Sequence, residues 1–434
     1  MKRLIFLVAG LLAVAACSKV SKPRVEKDPL IISSPTPSEQ ITKVVLTDKQ
    51  QQYVKAGNAM SLRFLKEMYD NSDIILSPLS LQYAMAMTAN GASGETLKEI
   101  TDFLGYGTDG IAALNEYNKI LLNQLPAVDL DVVLKVTDAL VVRDDYPLLP
   151  AFQKTMEDYY YAAVDNMSFS DPSLVVDRIN DWTKLNTNGV IDKLLASSDI
   201  DEYTVAILLN ALYFKAKWAD NGRLPMFIEG DTHKDRFTLS NGTIRTVNIM
   251  NTANYFQYAL MDGFRVLALP YAGGKFFMYI LLPDKNDVNG LLGKLQGVSW
   301  SEITGSFCRD ALVYVKLPKF DIENTFNLND ALKAMGVKRA FGTSATFDQM
   351  FAPKGHESES FYIGKVLQKA KISLAEWGTE AAAVTAVILE ATSAGPGETP
   401  QPKKIYFYAD HPFVFVIGES TSGTILFEGV YSGK

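Results

Sequence analysis

Glu376-Trp377-Gly378-Thr379-Glu380-Ala381-Ala382-Ala383-Val384-Thr385-Ala386-Val387-Ile388-Leu389-Glu390-Ala391-Thr392 is the stretch on which the reading of this chain turns. Between Ala381 and Leu389 it has no charge, no proline and several β-branched residues, the composition of a segment that adds to a sheet. The next residues, Ser393-Ala394-Gly395-Pro396-Gly397-Glu398-Thr399-Pro400-Gln401-Pro402, mix glycine, proline and small polar side chains and have to be loop. On its own the stretch reads as a buried strand that runs out into a loop.

The flanking sequence supplies the setting. Upstream, Asp48 to Tyr69 has apolar residues near helical spacing, and Pro78 suits the first position of a second helix. Leu81, Tyr83, Ala84 and Met87 make that helix apolar all round and therefore central. Asp171-Pro172 opens another helix, with Val175, Ile179 and Trp182 on one face and Gly189 at its end. The character then changes. Val205 to Phe214 is a continuous apolar run, expected of a strand covered on both faces. Asn241-Gly242 and Gly273-Gly274 are hairpin signals, the second joining Arg265–Tyr271 to Lys275–Pro283. Leu312–Phe320, Ile405–Tyr408, Pro412–Ile417 and Thr424–Tyr431 read as further strands. Helices first and strands later predict an α+β domain with large, mostly antiparallel sheets. Neither an internal repeat nor a second linker interrupts residues 46–434, which read as a single domain.

Before that domain lies a targeting segment. Met1-Lys2-Arg3 is basic, and Leu4 to Ala16 is an apolar run of signal-peptide length, too short for a permanent span. It ends Val14-Ala15-Ala16-Cys17, small residues before a cysteine, which resembles a bacterial lipobox. Residues 1–16 are then expected to be removed and Cys17 acylated; the plain alternative is an ordinary signal peptide cut near Ala16. Residues 17–45, with Pro23, Pro29, Pro35 and Pro37, read as a tether. The expectation is an exported protein anchored in the cell envelope, at the outer membrane. The leaflet stays open, because Ser18 and Lys19 follow Cys17 without an acidic cluster. With Cys17 processed, Cys308 has no disulfide partner.

Little else carries chemistry. The net charge is −7 and no basic run stands out, so a nucleic-acid footprint is absent. His233, His356 and His411 each stand alone, without metal-ligand spacing, a phosphate-binding glycine loop or a nucleophile elbow; Gly418-Glu419-Ser420-Thr421-Ser422 misses the last at its final position. A triad assembled from distant residues is recognised by geometry rather than by sequence. His411, before Pro412 in a strand-like run, reads as structural. No cofactor or metal is expected and the chain does not read as an enzyme.

Several blocks, in order, resemble the serpin family. Gly378-Thr379-Glu380-Ala381-Ala382-Ala383, preceded by Glu376, is similar to its hinge. Leu76-Ser77-Pro78-Leu79-Ser80 with Gly91-Ala92-Ser93-Gly94-Glu95-Thr96 resembles its early helix signature, and Asn210-Ala211-Leu212-Tyr213-Phe214-Lys215-Ala216-Lys217-Trp218 its central-strand signature. Leu317-Pro318-Lys319-Phe320 and His411-Pro412-Phe413-Val414-Phe415 match later strands, so the resemblance spans about residues 46–432.

The resemblance implies three β-sheets and eight to nine helices in one domain, with an exposed reactive-centre loop at about residues 376–402. It implies inhibition by a conformational trap. A serine protease, or by the same chemistry a cysteine protease, attacks the loop, forms an acyl-enzyme, and is carried off as the cut loop inserts into the main sheet. Thr379, Ala381, Ala383, Thr385 and Val387 would share the inward face of that strand, all small or β-branched. Thr392 lies 16 residues beyond Glu376, about 50 Å of extended chain. Spacing from Glu376 puts the scissile bond at Thr392–Ser393, suited to an elastase-like or subtilisin-like pocket. Leu389 and Ala391 are alternative cut sites, and Gly395 to Pro402 lengthens the segment after the bond. Ser77, Ser80 and Asn210 match the region where the sheet opens, and Gln368 replaces a histidine common there in animal serpins. Trp218 matches a tryptophan under the loop's entry, and Glu376 and Lys319 match an ion pair beside it. Residues 109–125 carry no basic cluster for a glycosaminoglycan. The expected protein is a monomeric inhibitor; the alternative is a non-inhibitory serpin-fold binding protein.

Overall fold

Thr47 starts the first helix: its hydroxyl accepts from the Gln50 amide at 3.2 Å while the Gln50 side chain accepts from the Thr47 amide at 3.0 Å, a closed capping box. In the computed structural model the described residues are 37–107, 109–200, 204–220, 225–351, 361–379 and 403–434. Their α-helices are α1 (Asp48–Met68), α2 (Pro78–Gly91), α3 (Gly94–Leu104), α4 (Ile111–Gln124), α5 (Pro150–Tyr160), α6 (Pro172–Asn186), α7 (Val288–Lys294), α8 (Trp300–Gly305) and α9 (Asn329–Ala334). The strands are β1 (Ile74–Leu76), β2 (Val133–Arg143), β3 (Ala163–Met167), β4 (Ala206–Lys217), β5 (His233–Thr238), β6 (Ile244–Asn254), β7 (Gln257–Met261), β8 (Phe264–Pro270), β9 (Phe276–Pro283), β10 (Ala311–Pro318), β11 (Phe320–Asn327), β12 (Leu367–Ala375), β13 (Gly378–Thr379), β14 (Lys403–Tyr408), β15 (Phe413–Glu419) and β16 (Ile425–Tyr431).

Three sheets result. The main sheet runs β11-β12-β13-β4-β2-β3, a second β1-β16-β15-β9-β8-β7 and a third β14-β10-β6-β5. All pairings are antiparallel except β10 with β14 and β2 with β3. The apolar second helix is central as expected: α2 is buried along nearly all its length and packs against β4 of the main sheet and β16 of the second. The opposite face of the main sheet is covered by α6, whose Val175, Ile179 and Trp182 meet Ala139, Val141, Leu209 and Ala211. Pro172 occupies the first turn of α6 and Asp171 caps it, its carboxylate accepting from Ser173 N at 3.0 Å.

Two sequence expectations need correction. Leu312–Phe320 is not one strand. The chain changes sheets at Lys319, so that β10 lies in the third sheet and β11 in the main one. The alternation continues through the crossing and hides it. Nor is the chain ahead of Val205 wholly helical: β1, β2 and β3 lie there, and Val136 to Val142 of β2 are buried consecutively because α2 and α6 cover both faces.

The targeting segment up to residue 36, with Cys17, lies outside the described residues. Close to the domain the chain is already docked: Ile41 N donates to Ala127 O at 2.9 Å, and Val44 is buried and donates to the Thr421 hydroxyl at 2.9 Å. Among the described residues no helix is long and apolar enough to cross a membrane.

Candidate functional site

The end of β12 turns back on itself through two residues, Glu376 and Trp377, so that Ala375 pairs with Gly378 and Leu374 with Thr379. The returning strand is two residues long among the described residues. On its other side Gly378 pairs with Lys217 and Thr379 with Ala216 of β4. Among the described residues, Gly378 and Thr379 are what join β12 to β4 in the main sheet. Beneath Thr379 lies a cavity of about 360 Å³, walled on one side by Leu212, Tyr213 and Phe214 and on the other by Lys371, Ile372 and Ser373.

Gly378 is required at the turn. Its φ is +145°, a region closed to side chains, and a Cβ there would lie 2.1 Å from Ala216 O and 2.8 Å from Lys217 Cα. Backbone of β4 cannot give way without breaking the sheet. Gly378→Ala is expected to cost about 3 kcal/mol, from strain plus displacement of β4. A urea midpoint equal to that of the parent chain would show that the close approach does not exist.

Around this turn the sequence-predicted residues assemble. Trp218 stacks on Tyr271 at 4.6 Å between ring centroids and 3° between planes, with Phe227 edge-on at 5.9 Å. Its indole N–H donates to Ala375 O at 2.9 Å and its backbone N–H to Trp377 O at 3.1 Å, so one residue clasps the end of β12 and the turn that follows it. The Glu376 carboxylate meets the Lys319 ammonium at 2.7 Å and accepts from the Thr232 hydroxyl at 2.7 Å. Burial acts to raise the Glu376 carboxyl, but the Lys319 and Thr232 hydrogen bonds outweigh it and hold the group below the usual carboxylate range. With the Glu376 side chain only 11% exposed, this is no solvated surface pair. The Thr379 hydroxyl bonds the phenol of Tyr271, so its side chain faces the core, as the expected alternation requires.

Lower in the same sheet a second cluster forms. Ser77 caps α2, its hydroxyl accepting from Ser80 N at 3.4 Å and donating to Leu426 O at 3.1 Å. Gln368 of β12 accepts from Ser77 N at 3.1 Å and donates to Ser77 O at 2.8 Å, so its amide uses both ends on one backbone unit. Ser80 donates to the Asn210 side-chain oxygen, and Asn210 donates to Asp138 at 2.6 Å. Ser77, Ser80, Asn210 and Gln368 therefore meet where α2 touches β4 and β12.

Sequence reasoning missed Tyr271, Thr232 and Asp138. Tyr271 and Thr232 carry no local signal, because their roles come from elements distant in the chain. Asp138 did carry one, as the only charged residue in the apolar run Val136–Val142. Glu380, Ala381, Ala382, Ala383 and the bond Thr392–Ser393 lie outside the described residues.

Comparison with known proteins agrees with this geometry. The family model described as Serpin (serine protease inhibitor) matches residues 55–433. An uncharacterized serpin-like protein of Thermococcus kodakarensis is 32% identical, over 99% of this chain and 98% of its own length. The leukocyte elastase inhibitor of Bos taurus is 32% identical, over 84% of this chain and 94% of its own. Among solved structures, the native state of the thermophilic serpin tengpin superimposes with a TM-score of 0.78 at 29% identity, covering 91% of this chain and 97% of that one.

Proposed function

Since the chain belongs to the serpin family, we propose that it inhibits serine endopeptidases by trapping the acyl-enzyme and inserting the cut loop into the main sheet. The observation that carries this reading is the seating of Gly378 and Thr379 between β4 and β12, with the cavity that lies between those two strands below Thr379. Continuing the antiparallel register, position 381 would fall between Phe214 and Ile372, position 383 between Leu212 and Ala370, and position 385 between Asn210 and Gln368. The chain supplies Ala381, Ala383 and Thr385 at these places. Two alanines suit a row of apolar neighbours, and a threonine suits two amides.

In this reading the bait is Thr392–Ser393 and the target an elastase-like or subtilisin-like protease, with cysteine proteases a further class. The protein turns over no substrate of its own. It acts as a monomer, held to the outer membrane through a lipid on Cys17. Mixing the purified chain with pancreatic elastase tests the trap: a band stable in SDS at the summed mass is expected within minutes. Stoichiometric cleavage without that band marks the non-inhibitory binding protein instead.

A further inference from the structure

Asp138 is the one feature of the lower cluster that the trap itself does not use. It sits on β2 directly opposite Asn210 of β4 and is 1% exposed. One carboxyl oxygen takes the 2.6 Å bond from Asn210; the other has no partner among the described residues. An ionised carboxylate only accepts, so it obliges Asn210 to present its NH2 to β2 and its carbonyl oxygen to Ser80 on α2. A protonated carboxyl can donate, and Asn210 is then no longer bound to that orientation. We propose that Asp138 is a proton-operated brake on opening of the main sheet: ionised, it locks Asn210 onto Ser80 and so β4 onto α2, and on taking up a proton it releases them. The inference rests on the inhibitor reading, since the motion it governs is that loop insertion.

The surroundings favour the neutral form. Burial pushes the Asp138 carboxyl up to about 7, the Asn210 bond opposing it. The titratable groups facing it from packed elements are Tyr83 of α2 and Tyr160 of α5, and burial holds both phenols neutral far beyond pH 7. Neither His233, on β5, nor His411, bonded to Asp410 and Pro283 O, acts on it. In the unfolded chain the same carboxyl titrates near its ordinary value. Between that value and about 7 the folded chain therefore holds the extra proton, and the stability this gives at acid pH is lost as pH rises through about 7. A strand arriving beside half-buried Asn210 seals this row further, so the inserted form prefers the proton more strongly than the native form does.

The test needs no protease. The full chain is warmed below its melting temperature at pH 5.5 to 8.5, and conversion to the urea-resistant, loop-inserted form is timed on gels. The expected rate rises about five- to tenfold from the alkaline to the acid end, the difference between a charge-assisted and a neutral hydrogen bond, with its midpoint near 7. Asp138→Asn is expected to convert at the parent's acid rate throughout. Ser80→Ala, which removes the other end of the lock, is expected to be fast at pH 8.5. A flat parent profile, or a pH dependence that survives in Asp138→Asn, overturns the brake. Acid-accelerated conversion in a chain that forms no complex with elastase leaves the brake standing and removes the inhibitor reading.

Discussion

Ala383→Arg is expected to turn the protein from inhibitor into substrate. In the inserted register, position 383 faces Leu212 at 8% exposure and Ala370 at 4%, neither of which offers a partner to a guanidinium. Burying an unpaired charge costs several kcal/mol, and each 1.4 kcal/mol slows insertion about tenfold. Deacylation, untouched by the change, then wins the race. The covalent band with elastase is expected to fall below about a tenth of the parent's, with the loop cut and the protease fully active. Retention of the full yield would mean that this position does not enter the sheet. Ala382→Arg is the control, since alternation points its side chain to the opposite face.

A single nick in the loop is expected to raise the melting temperature, although cutting a chain ordinarily lowers it. Insertion of the freed segment between β4 and β12 would add about 15 backbone hydrogen bonds at about 1 kcal/mol net each, on the order of 10 kcal/mol or more. The unfolding entropy of a domain this size is about 0.8 kcal/mol per degree, so the midpoint should climb by about 10 °C or more. Calorimetry before and after limited elastase digestion measures it. An unchanged midpoint would mean that the intact form holds no reserve of free energy.

How far the sequence could be read depended on the range of the interaction behind each feature. Gly378 came from the resemblance to the hinge, and the fold supplies its reason, a turn with no room for a side chain. The hairpin at Asn241-Gly242 and the cap at Asp171 are short-range features and stand where the residues put them. Resemblance gave Trp218, Lys319, Glu376, Ser77, Ser80, Asn210 and Gln368 as separate positions. The fold adds that they form two clusters, one under the turn and one where α2 meets β4 and β12. Lys319 shows the limit well. Its neighbours alternate as in one strand, and only sheet membership shows that the chain passes there from the third sheet to the main one. Tyr271 and Thr232 were out of reach for the same reason, since nothing near them in sequence points to Trp218 or Glu376.

The pairing of Gly378 and Thr379 with both β12 and β4 has a kinetic meaning. Starting a new strand between two others ordinarily requires a search over alignments, and a slip by one residue turns every side chain to the wrong face. Here the alignment is chosen in advance: the glycine is fixed by a backbone that admits nothing larger, and the threonine is fixed by its bond to Tyr271. In the proposed trap, the strand would then grow from a seed already in place once the loop is cut, and the speed of capture would be set by how fast the walls part and not by how long the segment takes to find its row.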